Sequence, residues 1–257
     1  MSTEEEDPHP NPPPSRGREK TILVTRPLGD ELSLTEALHE RGYRVIHEPL
    51  TSILLDHTQR QALQHALDND PDAVIVTSRH GVQALAALSD LRDIFLICVG
   101  EATAKRACSL GFHRVSIAEG NVRRLAEYIR DGYDEGSRFL YLSGAHVQED
   151  MAELLNGMQV RRLVLYEAVA SERLSDTLIE QLRRGQLDGV TFLSQRAARI
   201  FTELLAKTGI PDATRDLHAF CLSEAIAGQL AVQAWRQLHV AQEATLASVV
   251  ECVDNVF

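Results

Sequence analysis

Short apolar runs alternate along this chain with stretches in which apolar residues recur every three or four positions. The runs at residues 21–25, 73–77, 94–99, 139–142, 190–193 and 219–222 predict strands of the kind buried on both faces in parallel sheets. Residues 115–118 and 238–240 predict two shorter strands. The periodic stretches predict helices over 30–41, 59–69, 81–88, 102–110, 122–131, 149–158, 174–184, 195–207, 224–233 and 245–256. Gly42, Gly111 and Gly185 follow the last periodic residue of their helices, where a stop signal belongs. Two longer segments, 43–55 and 160–169, read as extended and break the rhythm. Strand and helix otherwise alternate, which predicts an α/β class with mostly parallel sheets. A flavodoxin-like strand order is the default for such units.

The pattern occurs twice. Ala73-Val-Ile-Val-Thr-Ser78-Arg-His-Gly-Val82 returns as Gly189-Val-Thr-Phe-Leu-Ser194-Gln-Arg-Ala-Ala198. Ile94-Phe-Leu-Ile-Cys-Val-Gly100-Glu-Ala-Thr-Ala104 returns as Leu217-His-Ala-Phe-Cys-Leu-Ser223-Glu-Ala-Ile-Ala227, and Thr21-Ile-Leu-Val-Thr25 as the run ending in Ser143. Each unit is a short strand, a small or hydroxyl residue at its end, then an amphipathic helix. Ligands of open α/β sheets bind where strands end and helices begin, so two such edges predict two domains facing one ligand. Segments 44–53 and 161–171 close the first unit of each copy and read as crossings between domains. Periodicity leaves open whether each copy folds on itself or the first unit joins the last block.

Composition narrows the class. At 257 residues the chain has material for one large core or two of ordinary domain size. A hydrophobic share of 44% with 25% charged is that of a soluble globular protein. No apolar run approaches bilayer length, so no membrane span and a cytoplasmic location are expected. Residues 1–19 are acidic and proline-rich, without the basic start and apolar stretch of a secretory signal, and are expected to form a disordered tail. The net charge of −11 argues against nucleic acid as a partner. It leaves room for an anionic small ligand, which backbone N–H groups at helix starts suffice to hold. Cys98, Cys108, Cys221 and Cys252 form no CxxC pair and read as reduced thiols. The histidines show no HExxH spacing, so no metal site is expected. There is no Walker A sequence and no GxGxxG after a strand, which leaves a nucleotide cofactor unsupported.

The candidate chemistry lies at the strand ends. One set holds Thr77, Ser78, Arg79 and His80, then Gly100, Glu101 and Thr103, then Ser143 and Gly144. The other holds Thr25, Arg26, Ser194, Gln195, Arg196, Ser223 and Glu224. Hydroxyls and helix-start amides make a rim suited to carboxylates or phosphates. For any single serine, N-capping explains the residue equally well; the duplicated set points to a ligand cleft. Tyr166 stands apart, in the second crossing, near the expected mouth between domains. A phenol there can assist a departing oxygen, whereas the plainer reading is an aromatic packed across a connector.

These residues resemble a known family. Val24-Thr-Arg-Pro27, Val76-Thr-Ser78-x-x-Gly81-Val82, Val99-Gly-x-x-Thr103-Ala104, Leu165-Tyr166-Glu-Ala-Val169, Phe192-Leu-Ser194-x-x-x-Ala198, Ser223-Glu-Ala-Ile-Ala227 and the closing Trp235-x-x-x-x-Val240-Ala241 are similar, in order and spacing, to uroporphyrinogen-III synthases. The resemblance implies two flavodoxin-like parallel-sheet domains joined by a two-stranded β connector. Residues 20–47 plus 171–257 form one domain, 53–165 the other, and 48–52 with 166–170 the connector. It implies a lyase that takes hydroxymethylbilane, expels its terminal hydroxyl as water, inverts the last pyrrole ring and closes the macrocycle in haem biosynthesis. No cofactor or metal is implied. Tyr166 falls on the family's catalytic candidate, and the rim residues on its carboxylate holders. A monomer is expected, in at most transient contact with the upstream deaminase. The chain departs from the family where Ala225 and Ile226 replace threonines, and where no basic residue directly follows Ser143-Gly144. Those lost donors keep a second reading in play, a two-lobed binding or regulatory module of the same fold closing on another anion.

Overall fold

A computed structural model describes residues 18–147 and 149–257. The tail expected over 1–19 lies outside the described residues except at Arg18 and Glu19. In chain order the first elements are β1 (Thr21–Val24), α1 (Leu32–Glu40), β2 (Arg44–His47), β3 (Thr51–Leu55) and α2 (Arg60–Asp68). There follow β4 (Ala73–Val76), α3 (Arg79–Leu88), β5 (Leu96–Val99), α4 (Glu101–Ser109), β6 (Val115–Ala118) and α5 (Val122–Gly132). Next come β7 (Arg138–Gly144), α6 (Met151–Leu154), β8 (Gln159–Ala170) and α7 (Asp176–Arg183). The last are β9 (Gly189–Phe192), α8 (Gln195–Lys207), β10 (His218–Cys221), α9 (Glu224–Leu230), β11 (Gln237–Val240) and α10 (Leu246–Asp254).

The chain divides into two compact units. Among the described residues, one holds 18–50 together with Ser171–Phe257, the other Thr51–Ala170. The sheet of the first unit runs β2-β1-β9-β10-β11, all parallel. This is the flavodoxin-like order, with its reversal point between β1 and β9. The sheet of the second unit runs β3-β8-β7-β4-β5-β6, parallel except for β3, which pairs antiparallel with β8. With β3 set aside, the spatial order β8-β7-β4-β5-β6 is the same one entered at a different point in the chain. Here β7 and β8 stand where β1 and β2 stand, and β4, β5 and β6 where β9, β10 and β11 stand. Each sheet thus joins the first unit of one sequence copy to the later units of the other.

Burial follows position in the sheet. The inner strands β1, β4, β9 and β10 are buried at every residue, whereas the edge strands β2, β6 and β11 are not. An inner parallel strand is covered by helices on both faces, which is why these runs are continuously apolar. In the second unit one face packs Val74, Val76, Leu163 and Leu165 under α2, α3 and α4. The other packs Ile75, Phe139 and Tyr141 under α5 and α6. Cys98 and Cys221 are buried and free, and burial pushes both thiols up to about 12, so neither is a nucleophile. No helix among the described residues is long and apolar enough to cross a membrane.

Several predicted helices are trimmed, three of them for reasons visible in the structure. The stretch 149–158 is helical only over Met151–Leu154, because the chain turns at Gly157, whose φ is +95°, to enter β8. The stretch 224–233 stops at Leu230, whose carbonyl accepts the Gln233 amide and the Trp235 indole N–H, each at 3.1 Å, in place of an amide four residues on. The stretch 30–41 starts only at Leu32, after a turn in which the Asp30 amide donates to the Pro27 carbonyl at 3.0 Å.

Candidate functional site

The second unit gathers its candidates along one edge, at the carboxyl ends of parallel strands. Across the sheet they run from Tyr166 on β8, through Ser143 and Gly144 on β7, to Thr77 and Ser78 after β4 and Gly100 after β5. Ser78 is the N-cap of α3, and its Oγ accepts the Gly81 amide at 3.1 Å. The same oxygen lies 2.7 Å from the Tyr166 phenol oxygen. With one Ser78 lone pair taken by Gly81, the Ser78 proton is free to point at the phenol, and the phenol proton is then free for a ligand. His80 in the first turn of α3 sets its ring 5.9 Å from that of Tyr166, centroid to centroid. Burial raises the Tyr166 pKa, opposed by the Ser78 hydrogen bond; Tyr141 adds to the rise and the Gly144 amide opposes it. Tyr166 therefore keeps its proton through the neutral range and serves as a donor.

Tyr166 faces Ser78 because the strand is irregular. The ladder pairs Leu142 with Leu163 and Ser143 with Val164, but Gly144 with Tyr166. One extra residue is thus held in β8. Before the shift, Leu163 points into the α2–α4 face and Val164 is exposed. Strict alternation would then place Tyr166 on the face opposite to Leu165. After the shift, both Leu165 and Tyr166 pack against the α2–α4 cluster. A bulge of this kind re-aims a side chain. Gly144 completes the fit, since a Cβ there would lie 2.9 and 3.0 Å from carbons of the tyrosine ring.

The other candidates of this edge divide by exposure. Thr77 Oγ1 lies 3.4 Å from the Tyr141 phenol oxygen. The Ser143 hydroxyl is buried, accepts from Arg162 Nε at 2.8 Å and donates to the Gly144 carbonyl at 3.0 Å. Thr103 is buried in the first turn of α4. Glu101 is exposed and pairs with Lys105 at 3.0 Å along the helix. Gly100 starts α4 with φ +73° and supplies no side-chain cap, so the first amides of α4 have none. Arg79 opens α3 beside Ser78.

In the first unit the equivalent edge carries Thr25 and Arg26 after β1, Ser194, Gln195 and Arg196 after β9, and Ser223 and Glu224 after β10. Thr25 Oγ1 donates to the Thr191 carbonyl at 3.0 Å, and Thr191 Oγ1 to the Leu23 carbonyl at 3.2 Å, which clasps β1 to β9 in the buried interior. Ser194 caps α8 through the Ala197 amide at 3.1 Å. Ser223 occupies the N-cap of α9 but makes no side-chain cap. Arg26 approaches Asp30 at 4.0 Å, and its carbonyl meets His47 Nε2 at 2.8 Å.

Sequence reasoning missed Arg162. Its guanidinium reaches Ser143 Oγ, and through Nη2 the carbonyls of Gly144 at 3.0 Å and Ala145 at 3.1 Å. A basic residue inside the extended run 160–169 was the available signal. The cavities of 280 and 570 Å³ among the described residues lie at the amino ends of strands, against Arg138 and Arg161 in one unit and Asp188 and Leu217 in the other. No candidate above lines them. Among the described residues no cluster of His, Cys, Asp or Glu is placed to hold a metal ion.

Comparison with known proteins adds to this geometry. A crystal structure of a mutant uroporphyrinogen III synthase from the extremely thermophilic bacterium Thermus thermophilus aligns over 92% of this chain and 98% of its own, at 15% identity and a TM-score of 0.53. That likeness is one of fold. The wild-type enzyme from the same bacterium, in a second crystal form, aligns over 92% and 97% at 16% identity, with a TM-score of 0.43. The family model described as Uroporphyrinogen-III synthase HemD matches residues 33–251, which is most of the chain. The chain belongs to the uroporphyrinogen-III synthase family, whose work is tetrapyrrole biosynthesis.

Proposed function

We propose that this chain closes hydroxymethylbilane to uroporphyrinogen III, with inversion of the terminal pyrrole ring and loss of water. It acts as a lyase on the substrate alone, without metal or cofactor. The observation that carries the proposal is the Tyr166–Ser78 pair at the carboxyl edge of the second sheet, in a chain of this family. The phenol donates to the terminal hydroxyl as its C–O bond breaks, and water leaves. The methylene left behind is a cation delocalised over its pyrrole. That cation closes onto the terminal ring with inversion, and the proton lost on closure returns to the phenol oxygen. The raised pKa of Tyr166 favours that return. The first amides of α4, which no side chain caps, hold a substrate carboxylate so that one closing geometry is reached. Because the bilane supplies most of the chemistry, steering it to the inverted isomer is the main task of the protein.

The test supplies hydroxymethylbilane freshly made by its deaminase and separates the porphyrin isomers after oxidation. The expected product is the inverted isomer, formed faster than spontaneous closure. Only uninverted isomer at the spontaneous rate would overturn the proposal.

A further inference from the structure

We propose that Arg162 is a positioning residue: it holds the irregular junction of β7 and β8 in the register that aims Tyr166 at Ser78. The proposal rests on the reading of Tyr166 given above and goes beyond it. Arg162 lies four residues before Tyr166 on the same strand, and before the bulge. It shares its face with Val160, which packs under α5 and α6. Tyr166 packs on the other face, under α3. Arg162 therefore never meets the phenol directly; what the two share is the segment from Ser143 to Ala145.

Two points of β8, one on each side of the bulge, grip that segment. Arg162 donates to Ser143 Oγ at 2.8 Å, to the Gly144 carbonyl at 3.0 Å and to the Ala145 carbonyl at 3.1 Å. The Ala145 amide donates to the Tyr166 carbonyl at 2.9 Å. The register slips within this stretch, between Ser143 and Gly144. Strand carbonyls beyond such a slip lose regular ladder partners and need others. A planar guanidinium with several fixed donors satisfies a hydroxyl and two carbonyls at once, which one ammonium on a flexible stem does less well. Ser143 is buried and its hydroxyl is already engaged, so its role in this arrangement is to anchor Arg162. Without the guanidinium, the slip has less to hold it, and β8 relaxes toward regular alternation, which turns Tyr166 away from Ser78.

The experiment compares Arg162→Met, Arg162→Lys, Tyr166→Phe and the double variant Arg162→Met/Tyr166→Phe. Two readouts are taken, steady-state kinetics with the isomer ratio and the ultraviolet titration of the tyrosines without substrate. Subtracting the Tyr166→Phe curve isolates the Tyr166 phenol, which is half-buried near Tyr141 and His80. Arg162→Met is expected to lower kcat on the order of tenfold with KM little changed. In the folded Arg162→Met protein the Tyr166 titration moves down toward that of an exposed phenol. Arg162→Lys lies between the two, and the double variant is no slower than Tyr166→Phe alone. If the kcat losses multiply in the double variant, or Tyr166 titrates in Arg162→Met as in the parent, the proposal is overturned. If Arg162→Met does not fold, Arg162→Lys carries the test: an unmoved titration with a lowered kcat overturns the proposal equally. Parental activity in Tyr166→Phe sinks the reading of Tyr166 instead, and the titration still decides whether Arg162 positions the ring.

Discussion

The two sheet edges are built from copies of the same units, and the instructive residues are those where the copies part. Ser78 and Ser194 hold the same place after an inner strand, and both cap the following helix at 3.1 Å. Up to that point N-capping explains both. Ser78 then meets Tyr166 at 2.7 Å, across a glycine that leaves room for the ring. In the first unit the corresponding strands carry Thr25 and His47. Thr25 turns inward to the Thr191 carbonyl, and His47 meets the Arg26 carbonyl. The first edge uses its side chains mainly to hold its own backbone, while the second brings a half-buried phenol to the strand ends. The duplicated serines share what the fold needs, and the unduplicated Tyr166 is where the two edges part.

The largest test of that contrast is Tyr166→Phe. It removes the donor and keeps the ring, so kcat should fall on the order of a hundredfold, with a larger share of uninverted isomer and an unchanged melting temperature. An unchanged rate and isomer ratio would erase the difference between the edges. Gly144→Ala should act almost as strongly, because the new Cβ displaces the ring that now lies over it. The Tyr166 titration should shift in that variant while the circular dichroism spectrum stays the same.

Ser78→Ala against Ser194→Ala sharpens the comparison. Each loses a cap, and each should cost about 1 kcal/mol in denaturant unfolding. Only Ser78→Ala should also lower kcat, by a smaller factor than Tyr166→Phe. Equal kinetic effects of the two would mean that both edges act through their caps alone.

The smallest effect belongs to the first unit. His218 Nδ1 and His239 Nε2 lie 2.8 Å apart beside Phe220 and Phe257. Burial lowers the pKa of both. His239, Arg236 and Lys20 lower that of His218 further, and Asp188 opposes them. The folded state thus binds these protons less readily than the unfolded one. Stability should be full above the unfolded value of about 6.5 and decline as pH falls below it. Thermal melts between neutral and mildly acid pH should show the decline, and His239→Gln should flatten it. A parental slope in that variant would assign the acid sensitivity elsewhere.

The strands and helices were legible because their signals are local. A run such as residues 73–77 can be buried on both faces only inside a parallel sheet, and a serine before an amphipathic stretch is a cap wherever the helix packs. The helix over 149–158 misled because a few apolar positions at helical spacing outweighed Gly157, whose positive φ ends the element. Tyr166 was legible as a candidate from its neighbours in the chain. Arg162 was not, since its three acceptors lie on another strand, well back in the sequence.

By itself the sequence determined the alternation of strand and helix, the duplicated units and the hydroxyl residues that end the strands. These depend on periodicity and on capping, which act within a few residues. Periodicity left the pairing of units open, and the tertiary structure decided that β1 lies beside β9 and β7 beside β4, exchanging units between the copies. It alone placed Tyr166 on the face of Ser78. Strand pairing and register are contracts between distant segments, and one extra residue in a ladder reverses the face that every later side chain takes.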